Sequence, residues 1–282
     1  MAFEDILVSL TTYPTRTQPS EIDDAVALAV ALESHISAIA CEVRVPAPAS
    51  PMGSALLNVP ALVFAELKKS AAAAAQELAE FRKAAEQKGV FQEVILEKCT
   101  TPEFSDLVTD YARLRDLTII PMPDIDTVER WLAETLIFRS GRPTIVLPER
   151  TRWSKAVALD TVVVAWDFSR NSSRAVADAL PILKKAKLVS VLTVTNEKVF
   201  SSGRSGAELA KHLARHGVNV VLDEVDASGR DIATVFEAHL TLRDADLLVM
   251  GAYGHSRFRE FVLGGATRSV LLRPPVPVFL SH

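Results

Sequence analysis

The sequence predicts an α/β protein made of two tandem open parallel sheets. Short β-branched or aliphatic runs alternate with segments of helical periodicity along the chain, and the order of those runs occurs twice. Near-continuous apolar runs belong to strands covered on both faces, as in sheets whose parallel neighbours are joined by helices. Right-handed crossovers follow from that arrangement.

In the second half, 161–165 (Thr-Val-Val-Val-Ala) is a buried strand. Asn171 or Ser172 caps the helix that follows, which places Val176, Leu180 and Leu183 on its apolar face. A second strand covers 188–194, and a helix over 207–216 stops at Gly217. A third strand covers 218–222, and a helix over 229–240 aligns Ile232, Val235, Phe236 and Leu240. The fourth strand is 247–250, followed by a short helix over 264–272 and a last strand over 276–280. Pro277 lacks a backbone donor, which places that last strand at an edge or at a domain contact.

The first half follows the same plan. Strands are expected at 5–10, 36–41, 90–96, 116–120 and 143–147, with helices at 22–32, 65–86 and 103–114. Residues 5–10 parallel 160–165, 116–120 parallel 246–250, and 143–147 parallel 275–279. This is an internal duplication of about 140 residues. The extra length of the first half falls in 43–63, a Pro/Ala/Ser-rich stretch that reads as a loop or mobile flap. Residues 148–154 read as a linker, giving domains 1–150 and 151–282.

Composition excludes several classes. A net charge of −4 points to neither a nucleic-acid nor a membrane partner. Cys41 and Cys99 match no metal or redox spacing and read as buried, reduced thiols. No signal peptide is visible and no apolar stretch is long enough to span a bilayer, so the expectation is a soluble cytoplasmic protein.

Chemistry concentrates after the fourth strand of the second half. Four of the 11 glycines, Gly251, Gly254, Gly264 and Gly265, fall there in a Gly-x2-Gly-x9-Gly pattern. Glycines after a strand let the backbone approach a ligand and aim bare N–H groups at an anion. In an open parallel sheet, ligands bind beyond the carboxyl ends of the strands. Asp167, in Asp167-Phe-Ser169, stands at that same edge, where a carboxylate can accept hydrogen bonds from a ribose hydroxyl or an adenine amine.

Together, Asp167-x-Ser169 and the glycine pattern make the second half resemble the universal stress protein family over nearly all of 160–280. The first half resembles a degenerate copy, so the chain resembles a tandem universal stress protein whose modules pair as two subunits do in single-module members. The resemblance implies a Rossmann-like fold of the adenine nucleotide alpha hydrolase-like type in each domain. It also implies an ATP-type adenine nucleotide in the second, with Mg²⁺ carried by the phosphates. Carried over by residue, Asp167 matches the family aspartate, preceded by Ala165 and Trp166, and Val194 offers its backbone to adenine. Met250 and Gly251 open the loop, Gly254 is its second glycine and Gly264 its third, followed by Gly265, Ala266 and Thr267. Gly265 stands where the family usually has Ser or Thr, and Thr267 is a neighbouring source of a hydroxyl. Trp166 is large for a strand end and either stacks on the base or fills the base pocket.

In the first half Thr12 stands at the aspartate position, and Pro121 and Asp124 replace the first two glycines. Pro121 removes a donor and Asp124 places negative charge where phosphates would lie, so no nucleotide is expected there. Arg257, Arg259 and Arg268 could screen phosphate charge, and His255 has no catalytic partner at a recognisable spacing. No Gly-x4-Gly-Lys-Ser/Thr loop and no Cys/His metal spacing occurs. The expectation is a regulatory nucleotide-binding stress protein with at most slow ATP hydrolysis. Its alternative is a nucleotide-free interaction protein of the same fold. The modules are expected either to satisfy each other through their last strands, giving a monomer, or to leave edge strands free to pair two chains, and a homodimer is the preferred of the two.

Overall fold

A computed structural model describes residues 2–44, 59–123, 128–149, 157, 159–196, 206–252 and 265–282. In the first module these form β1 (Asp5–Leu10), α1 (Pro19–Leu32), β2 (His35–Arg44), α2 (Val59–Lys88) and β3 (Phe91–Thr100). A 3₁₀ turn (Thr101–Glu103), α3 (Phe104–Ala112), β4 (Leu117–Met122), α4 (Val128–Arg139) and β5 (Thr144–Pro148) complete it. The second module contains β6 (Thr161–Ala165), α5 (Arg170–Lys185), β7 (Leu188–Thr195), α6 (Ala207–Arg215) and β8 (Val220–Asp226). It closes with α7 (Ile232–Arg243), β9 (Leu247–Gly251), α8 (Gly265–Leu272) and β10 (Val278–Ser281).

The predicted strands β1 and β6 are present residue for residue. β8 lies later than the expected 218–222, because exposed Glu224 and Asp226 alternate with half-buried Asp223 and Val225 on an outer strand and disguise its second half as a polar stretch. Helix α4 has no counterpart in the sequence reading. Of the expected loop over 43–63, residues 45–58 lie outside the described residues, while β2 reaches Arg44 and α2 begins at Val59.

The strands form one sheet in the order β3-β2-β1-β4-β5-β10-β9-β6-β7-β8. Its pairings are parallel except at the centre, where β5 and β10 run antiparallel. There Ile145 faces Phe279, Thr144 faces Leu280 and Val146 faces Val278. Thr144 pairs with Thr118 in β4 as Val278 pairs with Leu248 in β9. Ile145 and Phe279 are therefore equivalent residues paired with each other, and a pseudo-twofold axis passes between them. The Pro277 strand thus lies at a domain contact, where the Pro277 carbonyl accepts from the Leu248 amide at 3.0 Å.

Alternation along the strands divides the core in two. Ile6, Val8, Val162, Val164 and Phe279 face α1, α2, α5 and α6, whereas Leu7, Val146, Val163, Leu248 and Val278 face the other helices. Each cluster crosses the seam without a break. On the first face the Lys185 ammonium, in the last turn of α5, donates to the Leu32 carbonyl at 3.3 Å and pairs with Glu33 at 3.1 Å. A cation thus caps the C-terminus of the other module's helix.

One device recurs in both modules. Asp116 Oδ2, just before β4, accepts from the amides of Glu4 and Asp5 at 3.0 and 3.2 Å. Asp246 Oδ2, just before β9, accepts from Asp160 and Thr161 at 2.9 and 2.8 Å. Asp5 is therefore the counterpart of Thr161, so Thr11, not Thr12, is the counterpart of Asp167. The sequence alignment errs by one residue because Asp5 and Asp160 look alike but stand in different register.

Glu77 on α2 is fully buried. Burial, and secondarily the nearby Glu80 and Glu21 carboxylates, push its carboxyl up to about 8 despite the Arg16 guanidinium close by. The folded state then binds a proton more tightly than the unfolded chain, whose carboxyl titrates near 4.5. Its contribution to stability is full below that value and is lost as pH rises toward 8. Glu77→Gln is expected to flatten this decline in denaturant melts at pH 5 and pH 9, and to be the more stable chain at pH 9 by on the order of 2–4 kcal/mol. Equal slopes for the two chains would refute this assignment.

Candidate functional site at a strand-order switch

The order of strands reverses at β6: β7 and β8 lie on one side of it and β9 on the other. Such a reversal opens a crevice at the carboxyl ends of the strands, because successive connections leave on opposite faces. Ala165 pairs with Met250 on one side and Leu192 on the other. Asp167, Gly251 and Val194 lie one or two residues beyond those partners, so the register brings the predicted Ala165, Asp167, Val194, Met250 and Gly251 to one edge. The Leu192 carbonyl accepts from the Trp166 amide on the β6 side at 2.8 Å, and that of Thr195 accepts from Ala227 on the β8 side at 3.0 Å. By strand alternation, the peptide groups of Val194 then point into the space beyond the end of β6, where Asp167 lies.

The turn after β6 is built around Phe168, whose φ of 60° is left-handed and uncommon for a bulky residue. It lets Asp167 Oδ1 accept from the Ser169 amide at 3.0 Å, and Ser169 Oγ accept from the Ser172 amide at 3.0 Å. Ser169, not Asn171 or Ser172, is therefore the N-cap of α5. Trp166 turns toward α5 and α6, where it lines a hollow of about 120 Å³ with Val176, Leu180, Leu209 and His212. Its ring also meets Phe168 at 5.4 Å.

Gly251 meets the first turn of α5. A Cβ there would stand 2.3 Å from the Ser172 nitrogen and 2.4 Å from the Asn171 carbonyl carbon, both backbone atoms that cannot step aside. Packing alone therefore demands a glycine at this position. Beyond it, Gly254, Gly264, His255, Arg257 and Arg259 lie outside the described residues. Gly265 opens α8, Ala266 is half-buried against the core, and Thr267 is buried.

Comparison with known proteins bears directly on this module. The profile of the Universal stress protein family matches residues 158–282. The second module is a universal stress protein domain. A universal stress protein from Archaeoglobus fulgidus DSM 4304 superposes on the whole chain with a TM-score of 0.69. The two are 16% identical over 98% of this chain and 95% of that one. A functionally unknown protein from Pseudomonas aeruginosa PAO1 gives a TM-score of 0.56 at 14% identity, over 99% of this chain and 92% of that one. At these identities the likeness is one of fold, and it extends to both modules. No curated protein matches the chain.

The first module shares the universal stress protein fold but fills its own crevice. From the paired registers, Cys41 is the counterpart of Val194. Its carbonyl already accepts from Thr12 Oγ1 at 2.6 Å, and Ser70 Oγ accepts from the Val43 amide at 2.9 Å. The hollow left among Thr11, Thr12, Tyr13, Val43 and Phe104 measures about 10 Å³. Ligand pockets run to roughly 300–1,000 Å³. Buried carboxylates, Glu21 and Glu129, stand in the first turns of α1 and α4, whereas α5 and α8 begin without an acid. Burial, and next the Glu149 and Glu129 carboxylates, raise the Glu21 carboxyl against the lowering effect of the Gln18 amide.

Within the universal stress protein domain, a buried cluster under α7 has the residue types of a hydrolytic triad but not its geometry. Ser190 Oγ donates to Asp223 at 2.6 Å and lies 3.1 Å from His239 Nε2, while Arg243 donates to Asp223 through Nε and Nη2. Ser190 is fully buried at mid-strand. Burial holds the His239 imidazole below its usual range, against the pull of Asp223. The cluster pins the outer strand β8 to α7.

Gly251→Ala is expected to destabilise the chain by roughly 3 kcal/mol, because neither backbone can retreat from the added methyl. Urea denaturation measures this. A loss below about 0.5 kcal/mol, the ordinary effect of a surface substitution, would mean that α5 does not pack as described.

Proposed function

We propose that the second module binds an adenine nucleotide of the ATP type, one per chain, and that it acts as a regulatory sensor in a stress response rather than as a catalyst. One observation carries this reading: the Asp167 carboxylate, the outward peptide groups of Val194 and the glycine-opened end of β9 converge on one edge at the strand-order switch. Asp167 is suited to accept from ribose hydroxyls. Val194 can hold the polar edge of adenine through its peptide groups, as backbone sites commonly do for flat bases. Amides at Gly251, Gly254, Gly264 and Gly265, together with the N-terminus of α8, suit phosphate oxygens, and Mg²⁺ would arrive with the phosphates.

The first module serves as the structural partner: Thr12 and the acids at its helix starts take up the places a nucleotide would need. The burial of Thr267 favours a second reading, a nucleotide-free interaction protein, because it withdraws the nearest hydroxyl that could replace the Ser or Thr absent at Gly265. A neutral hydrogen bond contributes only about 0.5–1.5 kcal/mol, so this weakens phosphate binding without abolishing it.

Calorimetric titration with ATP tests the proposal. One site per chain is expected. Asp167→Ala should weaken it about 10- to 100-fold, as expected for lost hydrogen bonds to a charged group, and Gly254→Asp should remove it. Thr12→Ala should leave it unchanged. No heat at millimolar ATP, with no adenine nucleotide released on denaturing the purified chain, would leave the interaction-protein reading in its place.

A further inference from the structure

Between α7 and α8 lies a cleft of about 420 Å³, larger than either hollow described above. That volume falls within the roughly 300–1,000 Å³ of small-molecule pockets. Four buried apolar side chains line it: Phe236 and Leu240 of α7, Val270 of α8, and Val276. Pro148 joins them from the first module. The antiparallel ladder that pairs Val146 with Val278 places Pro148 opposite Val276, at the amino end of β10. The cleft therefore reaches the junction of the modules at the amino end of β10, whereas the nucleotide crevice lies at the carboxyl ends of β6 and β9. The two share no lining residue.

Comparison of the two modules sets this cleft apart. Ile145 and Phe279 are equivalent, so Arg139 of α4 corresponds to Arg273, which follows α8. Buried Phe104, Ser105, Val108 and Thr109 of α3 match buried Val235, Phe236, His239 and Leu240 of α7, so Asp106 corresponds to Glu237. In the first module these two charges meet. Arg139 pairs with Asp106, and Arg113 donates to the Arg139 carbonyl at 3.3 Å. There His282 takes the place of Pro148. It lies beside Asn171 and the Ala252 carbonyl, and its ring packs edge-on against Phe138 at 5.0 Å between centroids. In the second module Glu237 and Arg273 both line the cleft, and no ion pair links them among the described residues.

The two helices present complementary chemistry. On α7, Glu237 offers a carboxylate. Thr241, one turn along, donates its proton to the Glu237 carbonyl at 2.8 Å, so its oxygen is left to accept. On the other side, Arg273 offers a guanidinium, and Ser269, one turn before it, a hydroxyl that can donate. Pro148, Pro274 and Pro275 bring no amide protons, which leaves Arg273 as the strongest donor at that end. A ligand carrying only an anion would meet Glu237, and one carrying only a cation would meet Arg273; each like-charge encounter is unfavourable. We propose that this cleft binds a small apolar zwitterion, of the amino acid or dipeptide class. Its carboxylate pairs with Arg273, its ammonium with Glu237, and its apolar body covers Phe236, Leu240, Val270 and Val276. The ligand thus supplies from outside the two partners that Asp106 and Arg139 supply to each other in the first module.

Calorimetric titration of the full-length chain with tryptophan and with leucyl-phenylalanine tests this, and the tighter of the two identifies the source of the zwitterion. N-acetyltryptophan, which lacks the cation, and tryptamine, which lacks the anion, are each expected to bind at least about 10-fold more weakly than tryptophan. Arg273→Gln and Glu237→Gln are each expected to weaken the zwitterion about 10-fold. The two substitutions should separate on the single-charge probes: Glu237→Gln strengthens N-acetyltryptophan, and Arg273→Gln strengthens tryptamine. A merely structural effect would not produce that crossing. Ser269→Trp, which fills the cleft, should abolish binding while leaving the melting temperature near that of the parent. Both charged side chains are exposed, so their variants are expected to fold. No heat from either zwitterion at millimolar concentration overturns the proposal. So does binding that survives all three substitutions, or equal affinity for tryptophan and its two single-charge analogues.

Discussion

The register between β6 and β9 is the constraint on which the site depends. A slip of one residue in a strand turns every side chain to the opposite face, and here it would also carry Asp167 and Gly251 out of line. The carboxylate of Asp246 holds that register by accepting the amides of Asp160 and Thr161 at the start of the neighbouring strand. The carboxylate lies at the amino ends of the strands and the crevice at their carboxyl ends, so the geometry of the site is set from the opposite side of the sheet. Asp116 does the same in the first module. That both modules keep the device, although the first fills the space at its strand ends, marks it as part of the fold rather than of the site.

The two crevices diverge through small substitutions on a common frame. Eight residues separate β1 from α1, but four separate β6 from α5. The short connection presses α5 against the end of β9, and only a glycine fits between them. In the first module Pro121 occupies the equivalent place, α1 enters by its longer connection, and Thr12 and Ser70 satisfy the peptide groups at the end of β2. The first glycine of the loop therefore has a packing role whether or not a ligand is present. Its absence from the first module follows from the longer turn as much as from a closed site.

Much of this was legible in the sequence, and the gaps have physical causes. β1 and β6 could be read directly because they are continuous apolar runs buried on both faces. The order of elements followed from the duplication, which left the pairing of modules through their last strands as one of two arrangements, and β5 and β10 do pair. Helix α4 was not found because its apolar residues are not confined to one stripe: Trp131 is exposed, while Leu132, Ala133, Leu136 and Ile137 are buried. Ser169 was passed over as a cap because Asn171 and Ser172 are equally good capping types, and only the left-handed turn at Phe168 decides among them. The contact of Asn171 and His282 with Ala252 joins three distant segments of chain, and no local pattern announces such a meeting.

The antiparallel pairing of β5 with β10 has a consequence for how the chain is made. Ile145 meets a partner about 130 residues downstream, a long loop to close before any contact repays it. During synthesis the first module can assemble its own parallel ladder from β3 to β5, since each of those strands precedes residue 149. Until residues 278–281 emerge, however, β5 presents an apolar edge with unpaired peptide groups. For that interval the nascent chain carries an open edge that any extended segment could join, its own or another's. The pairing that makes the finished sheet continuous is therefore also the step at which two unfinished copies would most easily associate.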